Sequence, residues 1–191
     1  HIDQFLDKIS NQEINIIGES IIDTYTQLNA LNKSGKESIL NFFKTEKNYY
    51  LGGVLAVCNN ISNFVKKVNL VSYIGDRQNY KSLIEKKLNK NVNSYFVTKK
   101  NSPTVLKERF LDGYSNKKII GIYDLNDEVL DHKNEKKILL KIQKFKKNSL
   151  ILVFDYGHGL FTKKITSFFI SKRNIYKSVN SPSTHCDCDF I

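Results

Sequence analysis

Apolar residues in this chain fall into two spacings that alternate along its length. The run Ile14 to Ile17 stops at Gly18 and resumes at Ile21 and Ile22 before Asp23, the pattern of a buried strand that turns at its carboxyl end. The next segment, "KESILNFFKTEKNYYL", mixes apolar and polar positions without helical spacing, which suits one or two exposed strands or a flap. From Gly53 the positions Val54, Val57, Cys58, Ile61, Phe64, Val65 and Val68 step by three and four, predicting an amphipathic helix. "VNLVSYIGD" reads as a second buried strand ending at Gly75 and Asp76, followed by a helix through "YKSLIEKKLNK". "NSYFVTK" is a further strand, and "TVLKERFLDGYSNKKIIGIYD" is two strands joined around the turn-rich "DGYSN". Ile138, Leu139, Ile142 and Phe145 predict a helix over 134–147. "SLILVFDYGHG" is then a strand ending on an aspartate and a glycine-rich turn, with a helix at "TKKITSFFISK" and a last strand at "IYKSVN".

Alternation of strand and helix implies an α/β fold with a mostly parallel sheet covered by helices on both faces. Internal repeats and Pro/Gly/Ser linkers are absent from the sequence, so no second complete domain is expected. A chain of 191 residues can bury about 70% of the surface its unfolded form exposes, enough for a core without staples. No run approaches the roughly 20 apolar residues of a membrane span, and the start "HIDQFLDKISNQEIN" lacks the basic and apolar blocks of a secretory signal, so a cytoplasmic location is expected.

Charge and cysteine usage narrow the partners. Cys58 lies inside a helical run, while Cys186 and Cys188 form a short "HCDCDF" cluster with no second ligand pair elsewhere, so neither a disulfide framework nor a metal site is expected. The net charge of +11 raises the question of nucleic acid. Lys-Lys pairs, however, recur at 66, 86, 99, 117, 136, 146 and 163, spread along the chain and without the aromatic interleaving of a nucleic-acid module. Such a charge attracts anions in general, phosphorylated small molecules included.

Ligands of open α/β sheets bind outside the carboxyl ends of the strands. Asp23, Gly75 with Asp76, and Asp155 with Gly157 and Gly159 all fall at predicted strand ends. Each Asp alone suits a helix cap or a turn; their shared edge singles them out. Gly52 and Gly53 allow either a tight turn or a backbone that approaches a ligand closely, with the unpaired N–H groups of the helix start beside it. Neither a Walker loop nor a dinucleotide fingerprint occurs. In "SPTVLKERF", Thr104, Lys107 and Arg109 share one extended segment, with Lys107 and Arg109 on one strand face. Two such cations can hold a phosphate or carboxylate, or simply form a solvated face.

The order "IIGESIIDTY", "YLGG" opening a helix, "VNLVSYIGD", "SPTVLKERF" and "LILVFDYGHG" resembles the N-terminal part of ribokinase-like (PfkB-type) carbohydrate kinases over about residues 14–160, and most of all the kinase domain of ADP-heptose synthases. The resemblance implies a ribokinase-like three-layer sandwich with a small β lid, placed at 36–51 and parts of 104–123. It also implies a kinase for a sugar or sugar phosphate that uses ATP and Mg²⁺, serves surface-glycan precursor synthesis and pairs as a homodimer through the lid. Carried over by position, Asp23 accepts hydrogen bonds from sugar hydroxyls, and Gly52 and Gly53 bring the helix start to the sugar. Lys107 and Arg109 face the substrate or its phosphate, and Asp155 lies at the active-site edge. The family's usual asparagine after the glycine pair falls on Ala56, leaving Asn60 as the nearby candidate. Glu19 stands where the first motif commonly has Asp, and His158 where the last commonly has Lys. The family's Gly-Ala-Gly-Asp segment, which supplies its anion hole and catalytic base, does not occur. The expectation is therefore a C-terminally truncated chain, residues 1–191 forming the N-terminal part of one kinase domain, with the sugar side, no catalytic Asp and no activity in isolation. Two alternatives are a ribokinase-like module that binds sugar without chemistry and a basic nucleic-acid-binding α/β domain.

Overall fold

Nine strands and five helices make up the residues described by a computed structural model, 2–31, 39–146, 149–171 and 176–180. In chain order they are α1 (Ile2–Ser10), β1 (Glu13–Gly18), β2 (Ser20–Ala30), β3 (Phe42–Gly52), α2 (Gly53–Ser62), β4 (Lys67–Arg77) and α3 (Lys81–Lys87). There follow β5 (Val92–Pro103), β6 (Val105–Asp112), β7 (Lys118–Asp124), α4 (His132–Ile142), β8 (Leu150–Phe154), α5 (Lys163–Ser171) and β9 (Tyr176–Asn180).

The apolar run at Ile14 becomes the centre of a five-stranded sheet of order β5-β4-β1-β8-β9, parallel at every pairing. Because strand side chains alternate, β1 feeds two cores. Ile14 and Ile16 pack with Val54, Leu55 and Cys58 of α2 and Ile84 of α3. Ile17 packs on the opposite face with Ile138 and Ile142 of α4 and Ile165 and Phe169 of α5. Each such side chain withdrawn from water contributes about 1.5–3 kcal/mol. The sheet and its two helical coverings make the three layers expected of the fold class.

A second sheet, β3-β2-β6-β7, stands apart as the lid. Its central pair, β2 and β6, is parallel from Ile21↔Val105 to Leu28↔Asp112, and both outer pairs are antiparallel. The expectation that the first strand turns and ends before Asp23 is corrected here: the chain leaves the main sheet at Glu19 and runs on as an 11-residue lid strand. Thr24 and Thr26 are buried while Asp23, Tyr25 and Gln27 are half-buried, so the alternation that defines β2 is carried by polar side chains and is silent in hydropathy. The helix after the glycine pair is also shorter than its pattern: it ends at Ser62, Phe64 is exposed, and Val68 already belongs to β4. The helix expected over 134–147 begins earlier, where Asp131 accepts the Asn134 N–H as its cap at 2.9 Å, and ends at Ile142. Residues 36–38 of the expected lid, and Cys186 and Cys188, lie outside the described residues. Among the described residues no helix is long and apolar enough to cross a membrane.

Candidate functional site

Register in the lid brings together residues that are far apart in sequence. Asp23 lies opposite Lys107 on β6 and Tyr50 on β3, and Tyr25 lies opposite Arg109. All five therefore project from one face of the lid. The Arg109 guanidinium donates to Asp23 Oδ1 in an ion pair whose two side chains are each 22% exposed. The same guanidinium stacks over the Tyr25 ring at 5.4 Å, and Tyr25 meets Tyr50 edge-on at 5.6 Å. Lys107 Nζ sits 5.9 Å from the Tyr123 ring, and among the described residues it has no carboxylate within ion-pair distance. The face thus offers spare acceptor sites on one carboxylate, donors on two cations, and three tyrosine rings.

Gly52 and Gly53 close the root of this face. A Cβ on Gly52 would collide with the Asp23 carboxylate, so the glycine leaves the room that carboxylate occupies. Gly53 takes φ +52°, and a Cβ there would meet the Glu19 carbonyl at 2.8 Å. The tight-turn reading accounts for both positions through the chain's own atoms: what approaches the glycine backbone is Asp23 and the β1–β2 junction. Asn60 is not brought to the lid. It is exposed on the last turn of α2, about 10 Å along the helix axis from Gly53 at 1.5 Å per residue. Its neighbour Asn59 is engaged elsewhere, donating to the Lys87 carbonyl at 2.8 Å and accepting the Asn89 N–H at 2.9 Å.

The two remaining sheet-edge carboxylates differ in kind. Asp76 accepts the N–H groups of Asn101 and Ser102 at 3.0 and 3.1 Å, and these bonds hold its carboxyl below the usual range, so it pins the corner between β5 and β6. Thr104 shares that work, accepting the Gly75 N–H and donating to the Asn79 carbonyl. Asp155, half-buried after β8, accepts the Gly157 N–H at 2.8 Å.

Glu19, outside the expected site set, is a carboxylate held by the chain's own backbone. It is fully buried, with one oxygen accepting the Tyr156 N–H at 2.9 Å and the other the Leu160 N–H at 3.3 Å. Burial pushes its carboxyl up to about 7, the Tyr156 N–H working against that rise and the Asp155 charge adding to it. Tyr25, Tyr50 and Tyr123 were likewise absent from the expected set. Their signal was the two-residue spacing from Asp23 to Tyr25, which means something only once β2 is known to be a strand.

Two other features lie away from the lid face. A cleft of about 870 Å³ runs beside β5 and α4, lined by Lys99, Lys100, Asn126, Lys133 and Lys137, and of the candidate residues singled out in the sequence it contains Asp76. Lysines dispersed in sequence also gather at the amino ends of the strands, where Lys66, Lys67 and Lys90 line one depression and Lys141, Lys144 and Lys146 another. Among the described residues no group of three His, Cys, Asp or Glu is placed to hold a metal.

No protein-family model matches the chain. Solved structures do. Phosphofructokinase-2 from Escherichia coli, in complex with fructose-6-phosphate, superposes with a TM-score of 0.65 at 14% identity, covering 91% of this chain and 56% of the enzyme. A carbohydrate kinase from Agrobacterium tumefaciens gives 0.51 at 15% identity, over 75% and 45% of the two chains. The fold is the ribokinase-like fold of the PfkB kinases, with its parallel main sheet and separate lid sheet. Within that class the chain is a distant homologue of the bifunctional protein HldE. It is 27% identical over 163 residues to HldE of a Nitratiruptor species and 29% over 166 residues to that of Aliarcobacter butzleri. Those matches cover 84% and 83% of this chain but 34% and 33% of the relatives, so the chain spans about one third of their length.

Proposed function

We propose that this chain carries the sugar-binding side of a kinase that phosphorylates a sugar or sugar phosphate, of the heptose-phosphate type, in the synthesis of surface-glycan precursors. The observation that carries the reading is the lid face itself, with Asp23, Lys107 and Arg109 in register and three tyrosines around them. Asp23 gives one oxygen to Arg109 and keeps lone pairs for sugar hydroxyls. Arg109, held in place by Asp23 and Tyr25, keeps further donors, and Lys107 is a point charge for a phosphate. Tyrosine rings suit the apolar face of a pyranose. In the intact family ATP and Mg²⁺ supply the phosphoryl group and its charge neutralisation. No step through them is assigned to the described residues. The exposed outer strand β7 suits lid-to-lid pairing of two copies, and the setting proposed is the cytoplasm.

Calorimetric titration with a heptose phosphate, the dephosphorylated heptose and ATP tests this reading. Binding of the phosphorylated sugar that weakens at least tenfold without its phosphate supports it, and absence of any sugar binding overturns it. Sugar binding with no ATP turnover in a longer form of the protein would favour the rival, a module that binds sugar without chemistry.

A further inference from the structure

We propose that Glu19 is a positioning residue whose side chain buckles the turn after β8, residues 155–160, onto the junction where the chain leaves the main sheet for the lid. The carboxylate is completely buried at that junction and reaches across to two main-chain donors four residues apart, Tyr156 N–H and Leu160 N–H. The main chain of the same residue accepts the Val54 N–H at 3.2 Å, so the start of α2 is tied to the same point. Glu19 thereby fixes three things to one another: the root of the lid strand that bears Asp23, the first turn of the helix after the glycine pair, and the loop that bears Asp155. A second layer holds the loop from below. The His158 carbonyl accepts from Tyr73 Oη of β4 at 2.7 Å and from Lys99 Nζ of β5 at 3.3 Å, while His158 Nδ1 meets Asp127 Oδ1 at 2.8 Å. Glu19 is the only one of these side chains that grips the loop by its N–H groups, among the described residues, and a buried carboxylate with two such donors is costly to disturb. The inference rests on the kinase reading only for the purpose of the buckle, which is to set Asp155 against the lid.

The titratable groups facing Glu19 are Asp155 and Tyr156 from the loop, Tyr73 from β4 and Lys99 from β5. Amide NMR on the 191-residue chain without ligand tests the buckle. The Tyr156 and Leu160 amides should shift together with a midpoint near pH 7, and Glu19→Gln should abolish that step. Asp155→Asn should move the midpoint down, because it removes a like charge. His158→Asn should leave the step in place, which separates Glu19 from the nearby imidazole. Hydrogen exchange in Glu19→Gln should quicken roughly tenfold at Tyr156 and Leu160 while Val54, bonded to the Glu19 main chain, stays protected. A wild-type step that survives Glu19→Gln, or exchange that quickens equally at Val54, overturns the proposal. If Glu19→Gln fails to fold, a midpoint unmoved by Asp155→Asn overturns it instead. Amides that titrate as stated in a protein that binds no sugar would sink the substrate reading and leave the buckle standing.

Discussion

The main sheet and the lid are joined through single residues, Glu19 between β1 and β2 and Thr104 between β5 and β6, and are held by different physics. Strands β1, β4 and β8 are wrapped on two sides by apolar side chains, with Ile16, Val71 and Ile151 shut off from water. Beyond its root, where Ile22 and Leu106 join the first core, the lid has no comparable cover: every residue of β7 is exposed, and β3 is exposed along most of its length. Its cohesion comes from main-chain pairing and from charge pairs on its two faces, Asp23 with Arg109 on one and Lys47 with Glu108 on the other. Glu19 and Asp23, close together in sequence, carry the contrast in two carboxylates. One is sealed and serves the chain's own backbone; the other is half-open and keeps bonding capacity to spare. On the proposed function, recognition falls to the lid, while rigidity belongs to the sheet.

Substitutions should separate the two regions by size of effect. Ile151→Ala, in the middle of the second core, should cost about 2–5 kcal/mol in urea denaturation. A loss below the lower bound would mean the main sheet is not the stability centre. Next in size is a pH effect. Glu19 has a folded pKa raised from 4.5 to about 7, so folding takes up a proton in that window. Its contribution is fully present below pH 4.5 and is lost as pH rises through about 7, on the order of 3 kcal/mol in all. The same denaturation series in Glu19→Gln should lack that slope. Gly53→Ala places a Cβ in a left-handed conformation against the Glu19 carbonyl, and should lower stability by about 1–2 kcal/mol. Arg109→Ala should be mildest, at about 1 kcal/mol, because its ion pair is partly open to water. A loss as large as that of Ile151→Ala would show that the lid face is structural.

Much of the main sheet could be read from sequence because its code is apolar. The run "LILVF" and the three-and-four spacing from Val54 to Ile61 map onto β8 and α2. The lid strand β2 escaped because Thr24 and Thr26 are its buried positions, and because apolar residues on both sides of Glu19 made two strands look like one with a turn. Helix α2 was overextended because the alternation of β4 begins at Lys67 and briefly matches a helical step at Val68. The pair Asp23 and Arg109, 86 residues apart, depends on β2–β6 pairing that no local pattern specifies. Glu19 showed in the sequence only as a Glu at a motif position, since its role comes from N–H groups 137 and 141 residues away.

The most direct test of the lid as the recognition surface is amide shift mapping during titration with a heptose phosphate. Perturbations should concentrate at Asp23, Gly52, Lys107 and Arg109 and vanish in Arg109→Ala. Perturbations confined to the cleft lined by Lys99, Lys133 and Lys137 would contradict it.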